Sequence, residues 1–385
     1  MKKAGIVFTT IFDPLVLEAY YQNFQRFGHL DQVEFIVIPD RKTPEIAYAR
    51  CREMTERGMR TICPALPEQE SFLTSVGLDP EFILYNSDHR RNVGYLMALG
   101  RDCDFFISLD DDNYAREDED AFQEHSIVAE PAARHEVVES ASGYYNIVDL
   151  LECQDGKTGV HPRGYPFSAR HPKAAVSTTT VEGAISINAG LWLLDPDVEA
   201  LTWLVQDPHV KSFRGQSPIL GLKTWSPVNT QNTALSRDAM VAYYFIRMGH
   251  PIAGMAIDRY GDIFSGYFVQ ACMKHLGGLL RVGSPVAEHR RNTHNYMRDA
   301  TAEWGAILVL EELLPWLREA KLSGSTWAEA YRSLAAGLDE FAASWTPAGK
   351  AAAWTDSARG FLRQTAGDMR TWTRACETIL GGTRS

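Results

Sequence analysis

The apolar run Phe105-Phe106-Ile107-Ser108-Leu109 stops at three consecutive aspartates, Asp110, Asp111 and Asp112. No other junction constrains the fold of this chain as tightly. The run reads as a buried strand, and adjacent carboxylates at its mouth repel unless a cation lies among them. A divalent metal meets that need, because hard cations such as Mn²⁺ or Mg²⁺ take oxygen ligands and share them with diphosphates. An acidic turn that merely closes a strand has the same composition, and the charge continues through Glu117, Asp118, Glu119 and Asp120. The triplet alone leaves both readings open.

Its surroundings narrow them. Gly5-Ile6-Val7-Phe8-Thr9-Thr10 reads as a buried first strand, residues 15–27 as an amphipathic helix, and residues 33–40 as a second strand ending in polar residues. Strand, helix and strand in so short a span predict a βαβ unit and a parallel sheet. A helix over 44–57, a short apolar run at 61–63 and a helix over 93–99 lead to the strand before the triplet. The aspartates therefore fall at the C-terminal end of a parallel strand, where open α/β sheets bind ligands. Residues 115–181 read as irregular, 184–194 and 252–257 as strands, and 233–248 and 266–280 as helices. Beyond about residue 298 the chain turns Ala-rich and amphipathic, with helices expected at 308–317, 327–341 and 351–379. This tail packs on the body or makes an oligomer contact, and packing is the expectation.

With 385 residues and 45% hydrophobic content the chain can bury a full core, and its length suggests two or three domains. A net charge of −11 argues against nucleic-acid or anionic-membrane binding. A small anionic substrate, held by local arginines and a metal, stays compatible with it. The six cysteines are scattered without ligand-like spacing, so neither a zinc site nor a disulfide framework is expected, and a reducing cytoplasm fits. The N-terminal apolar run is too short for a signal peptide, and no uncharged run approaches the roughly 20 residues of a spanning helix.

Arginines gather around the triplet in sequence. Arg91 closes Asp88-His89-Arg90-Arg91, Arg163 and Arg170 flank the loop at 164–168, and Arg259 follows Asp258. Guanidinium forks suit phosphate oxygens, although any one of these could equally make a surface ion pair. Asp258 and Asp262 could hold a sugar hydroxyl or act as a base, and Asp262 could instead cap a helix. His289 could complete a metal shell begun by Asp110 and Asp112, with Asp111 beside them, or be structural. Thr9, Asp40 and Arg41 end the first two strands, where a nucleotide would be read. No GxGxxG, P-loop or GxSxG pattern is present, so no flavin, nicotinamide, P-loop or serine-hydrolase fingerprint occurs.

Five motifs in order carry a resemblance. Arg91-Asn92-Val93-Gly94-Tyr95-Leu96 resembles R-x-x-G-Y-M, and Asp110-Asp111-Asp112 matches DDD. Arg163-Gly164-Tyr165-Pro166-Phe167-Ser168 is identical to RGYPFS, with Arg170 at a second arginine position. Gly190-Leu191-Trp192-Leu193 is GLWL, and Arg259-Tyr260-Gly261-Asp262 resembles RYDD. Together they resemble the plant reversibly glycosylated polypeptides, which are UDP-arabinopyranose mutases within a wider group that includes enzymes for GDP-linked sugars. The match covers roughly the first three quarters of the chain. It departs at Gly261, where the family has an aspartate for which Asp258 could substitute.

The resemblance implies a glycosyltransferase-A-like fold for a catalytic domain of residues 1–298, and the Ala-rich amphipathic pattern makes 299–385 a helical subdomain. It implies a UDP- or GDP-sugar bound through Mn²⁺ or Mg²⁺, no flavin, and reversible cleavage of the anomeric C–O bond. Gly190 and Trp192 would lie against the sugar, together with Asp258 or Asp262. Arg163 matches the family arginine linked to glycosylation. A protonated guanidinium is a poor nucleophile, so an electrostatic role is favoured over a covalent one. A true glycosyltransferase and a self-glycosylated scaffold are the rival readings, and the nucleobase stays open.

Overall fold

The first strand, Ala4–Thr10, is apolar on both faces and lies between Val33–Pro39 and Phe105–Leu109, parallel to both. Thr61–Ile62 extends this parallel set beyond Val33–Pro39. In-register pairing of Ala4 with Val33 and Phe105 brings Thr10, Asp40 and Asp110 out at one edge. The helix Arg91–Leu99 packs over this set, and Gly94 permits its close approach, since a Cβ there would collide with Val7 and Ile38. Its first residue, Arg91, is thereby delivered to the strand ends. The computed structural model describes residues 1–171, 173–346 and 354–382.

The sheet continues through Asn232–Ser236, antiparallel to Phe105–Leu109, then Ile185–Leu194, which runs parallel to Leu279–His289. The α/β expectation holds, and the parallel strands are those that carry the site. Several elements differ from the sequence reading. Residues 233–248, expected as a helix, form the strand Asn232–Ser236 and a 3₁₀ turn at Asp238–Ala242, because Ala234 and Leu235 are buried between two sheet neighbours. The expected strand at 252–257 is a hairpin, His250–Ile252 with Met255–Ile257, turned by Ala253 and Gly254 at φ of 46° and 79°. The helix expected at 266–280 is Gly261–His275, and the long strand Leu279–His289 follows it. Within the supposedly irregular 115–181, Ala133–Ser140 pairs antiparallel with Val176–Gly183. Its polar, largely exposed residues lack the apolar alternation that marks a half-buried strand.

Three tail helices follow, Tyr296–Glu319, Trp327–Ser344 and Thr355–Gly382. Thr326 and Glu329 form a capping box that starts the second. Residues 351–353, read as part of the last helix, lie outside the described residues. One hydrophobic core runs from Val7 and Leu96 in the sheet layer to Trp372 and Cys376 in the tail, so the tail packs on the body. The boundary expected near 298 falls in the first turn of Tyr296–Glu319. All six cysteines are free, and no described helix is long and apolar enough to cross a membrane.

A buried relay fastens the tail. The Leu84 N–H donates to His89 Nδ1 at 3.0 Å, which leaves Nε2 to donate to Tyr244 Oη at 2.7 Å, and Tyr244 donates to Asp368 at 3.4 Å. Burial pushes the His89 imidazole down to about 3, below its ordinary 6.5. The unfolded chain therefore takes the proton first, so this contribution is complete above pH 6.5 and is lost as pH falls toward 3. Urea titrations of His89→Gln are expected to lose about 1.4 kcal/mol per pH unit less than wild type between those limits. Parallel pH dependences in the two proteins would contradict the buried neutral tautomer.

Candidate functional site

A cleft of about 370 Å³ opens at the strand ends. Eight aspartates line it against five lysine and arginine side chains, so a diphosphate meets a net excess of negative charge there. Thr9, Asp40, Arg91, Asp110, Asp111, Asp112, Arg163, Asp258, Arg259, Asp262 and His289 all reach this cleft, as read from the sequence. Arg41, Arg170, Gly190 and Trp192 do not. Arg41 stacks at 3.8 Å on Tyr85 outside the cleft. Arg170 pairs with buried Glu199, whose carboxyl burial pushes up to about 8. Gly190 pairs with Gly283 across two strands, and Trp192 is buried in the sheet, both placed by packing behind the cleft.

Each aspartate of the triplet has its own surroundings. Asp110 accepts from Arg91 Nη2 at 2.5 Å, and burial raises its carboxyl despite that cation. Asp111 accepts from Thr10 Oγ1 at 2.6 Å, yet burial pushes it up to about 7. Burial would also raise Asp112, but His289 and Asn113 outweigh it and hold the carboxyl below the usual range. His289 donates Nδ1–H to the Asp195 carbonyl, which turns Nε2 toward Asp112 Oδ2 at 3.5 Å. A backbone partner of this kind fixes the tautomer that metal-binding histidines use.

Among the described residues no three acidic, His or Cys side chains converge in the geometry of a complete metal shell. Ions such as Mg²⁺ are commonly held by one or two carboxylates, the remaining positions going to phosphate and water. Asp112 and His289 stand 3.5 Å apart and are placed for such a partial shell, while Asp110 is tied to Arg91 and would have to be shared with it.

Arg163 sits deeper. Nε and Nη2 donate to Asp197 at 2.7 and 3.0 Å, while Nη1 and Nη2 donate to Asp262 at 3.0 and 2.6 Å. Nη1 also donates to the Arg259 carbonyl. All five N–H donors are thus engaged, so the guanidinium positions two carboxylates and has none left for a diphosphate. Asn229 Nδ2 supports Asp197 at 2.7 Å. By contrast Arg91 Nε and Arg291 Nη1 are buried without partners, which leaves these two with donors to offer a ligand. Arg259 holds a left-handed φ of 58° and is fastened by Glu303 and Asp299 from the tail, at 3.3 and 3.5 Å.

Asp197, Thr10, Arg291 and Glu303 went unread in the sequence. Asp195-Pro196-Asp197 directly follows the GLWL strand, and that strand-end position was the available signal for Asp197. Gly261 now has a physical account, because a Cβ there would collide with the Phe245 ring and the Ile246 carbonyl. Restoring the family residue with Gly261→Asp is expected to destabilise the fold by about 1–3 kcal/mol, read as a lower urea midpoint. An unchanged midpoint would refute the packing account.

Fold and site together define an α/β protein with an acidic cleft at the ends of parallel strands. The family model for "Reversibly glycosylated polypeptide" matches residues 68–358, and the chain belongs to that family. It is 28% identical over 236 residues to a probable UDP-arabinopyranose mutase 1 of Solanum tuberosum, covering 60% of this chain and 58% of that one. It is 32% identical over 164 residues to UDP-arabinopyranose mutase 2 of Arabidopsis thaliana, covering 42% of this chain and 41% of that one. The chain thus spans about half the length of these relatives. A crystal structure of glucosyl-3-phosphoglycerate synthase from Mycobacterium tuberculosis, with Mn²⁺ and UDP-glucose, aligns at a TM-score of 0.37 and 12% identity. That alignment covers 80% of this chain and 79% of that one, and the likeness is too distant to bear on chemistry.

Proposed function

We propose that this protein is a metal-dependent mutase that interconverts the pyranose and furanose forms of a nucleoside-diphosphate sugar. The observation that carries the proposal is the shared cleft. It brings Arg91, Arg291 and the aspartate triplet into one lining with Asp262 and Asp197, which Arg163 locks. The relatives' names support a UDP-linked pentose, and a GDP-linked sugar is the second candidate. The parallel strand ends are compatible with the glycosyltransferase-A-like fold expected from the motifs.

Asp112 and His289, with Asp110 shared from Arg91, would hold a Mn²⁺ or Mg²⁺, which would supply charge neutralisation to the diphosphate. Arg91 and Arg291 grip the phosphate oxygens with their spare N–H groups and take up negative charge as the anomeric C–O bond breaks. The electron pair leaves with the diphosphate. The 4-hydroxyl oxygen then closes on C1 while its proton passes to Asp262, whose oxygens keep lone pairs outside the Arg163 fork. Cleavage of the bond between C1 and the old ring oxygen, with return of that proton, leaves the five-membered ring for the diphosphate to recapture. Arg163 holds Asp262 in place throughout, and Asp258 lines the same cleft for a sugar hydroxyl.

A thermal-shift screen of UDP, GDP, dTDP and ADP tests the binding half. A nucleotide that binds only the folded state raises its apparent stability. UDP or GDP is expected to raise the melting temperature with Mn²⁺ and to lose most of that shift on chelation. Equal shifts with and without metal would overturn the metal-dependent reading.

A further inference from the structure

A second cavity of about 690 Å³ lies on the far side of the Arg163–Arg170 segment, and the mechanism above makes no use of it. The segment faces both ways, since Arg163 lines the cleft while Tyr165 and Arg170 line this cavity. Aromatic rings from Tyr144, Tyr145, Tyr165 and His161 form much of its wall. Among the described residues four basic side chains line it, Lys157, Arg170, Lys173 and Arg214, against the carboxylate of Asp149, in a chain whose net charge is −11. Lys173 answers Asp149 at 2.8 Å, and Arg170 is matched by Glu199. Arg214 uses Nε on the Leu151 carbonyl at 3.2 Å, and its exposed guanidinium also acts on the Glu152 carboxylate.

Two buried atoms of the wall lack partners, His161 Nδ1 and Arg170 Nε, and His161 is only 7% exposed. Buried hydrogen-bonding groups of this kind are rare unless water or a ligand satisfies them. Burial holds the His161 imidazole neutral, down to about 4, so the ring carries no charge near neutral pH and one of its nitrogens can accept from a hydroxyl. A volume of this size suits a one- or two-ring molecule. Aromatic faces suit the C–H faces of a sugar ring, and Asn146 adds a two-way hydrogen-bonding partner for its hydroxyls.

We propose that this cavity is a second ligand site, for an anionic saccharide whose ring lies on the tyrosines and whose carboxylate or phosphate meets Arg214. It is separate from the nucleotide-sugar cleft and does not depend on what that cleft catalyses. Titration calorimetry on the full chain, with UDP and Mn²⁺ saturating, tests it using glucuronate and its neutral counterpart methyl glucoside. Glucuronate is expected to bind saturably, at least about tenfold tighter than methyl glucoside. Exposed Arg214→Gln and half-buried Tyr145→Ala are each expected to weaken it by a similar factor. No saturable binding, displacement by UDP, equal affinity for both probes, or full affinity in both cavity variants would each overturn the proposal. Failure of UDP itself to bind would count against the cleft and leave this result standing.

Discussion

Replacing Asp112 with alanine is expected to lower turnover by about 10²–10³-fold and to abolish the Mn²⁺-dependent part of UDP binding. Asp112 is the one triplet carboxylate held below the usual range, so it is ionised at neutral pH, and it is the one facing the oriented nitrogen of His289. Asp111, at about 7, is only partly ionised there, and Asp110 already has Arg91 as its counter-ion. Asp112→Asn keeps the shape but not the charge and should lose nearly as much. Steady-state rates across a Mn²⁺ titration, with circular dichroism to check folding, read both effects. Undiminished turnover in Asp112→Ala would remove the metal from the mechanism.

Arg163→Lys carries the second large effect, on stability and activity together. Lysine keeps the charge but offers one ammonium in place of a five-donor fork, so it cannot bridge Asp197, Asp262 and the Arg259 carbonyl at once. Two buried carboxylates would lose bidentate partners, and breaking a buried pair of this kind costs about 3–5 kcal/mol. Denaturant titration should show that loss. Turnover should fall by about 10²-fold or more, because Asp262 loses its orientation. Asp197→Asn, which does not line up a reacting group itself, should lower kcat with little change in KM. An Arg163→Lys enzyme of normal stability and activity would contradict the positioning role.

Much of the site was legible because its residues lie where strands end. The triplet, Thr9 and Asp40 follow apolar runs whose direction the βαβ pattern fixes, and the in-register pairing puts them on one edge. Asp262 and Arg163 stood out as a loop carboxylate and a loop arginine, and their contact with each other appeared only in the geometry. Reading the Arg163 guanidinium as a fork for phosphate oxygens did not foresee that five neighbouring acceptors would occupy it. Gly190 and Trp192 misled for a different reason. A strand buried on both faces gives no sequence sign of which side holds the ligand. The helix expected over 233–248 hid Thr230 and Gln231 at the cleft wall, since a short apolar run does not separate a buried strand from a helix. Glu303 was hidden by distance, because a tail read as packing also fastens Arg259.

The central claim is isomerisation of the sugar on its nucleotide, and proton NMR of the anomeric region tests it most directly. Incubating the full chain with UDP-arabinopyranose and Mn²⁺, without an acceptor, should give the furanose anomeric signal and an approach to the same equilibrium from either isomer, with UDP conserved in the nucleotide sugar. Absence of the furanose signal from UDP- and GDP-linked pyranoses alike, with free UDP or GDP released only when an acceptor is added, would contradict the account and identify a transferase.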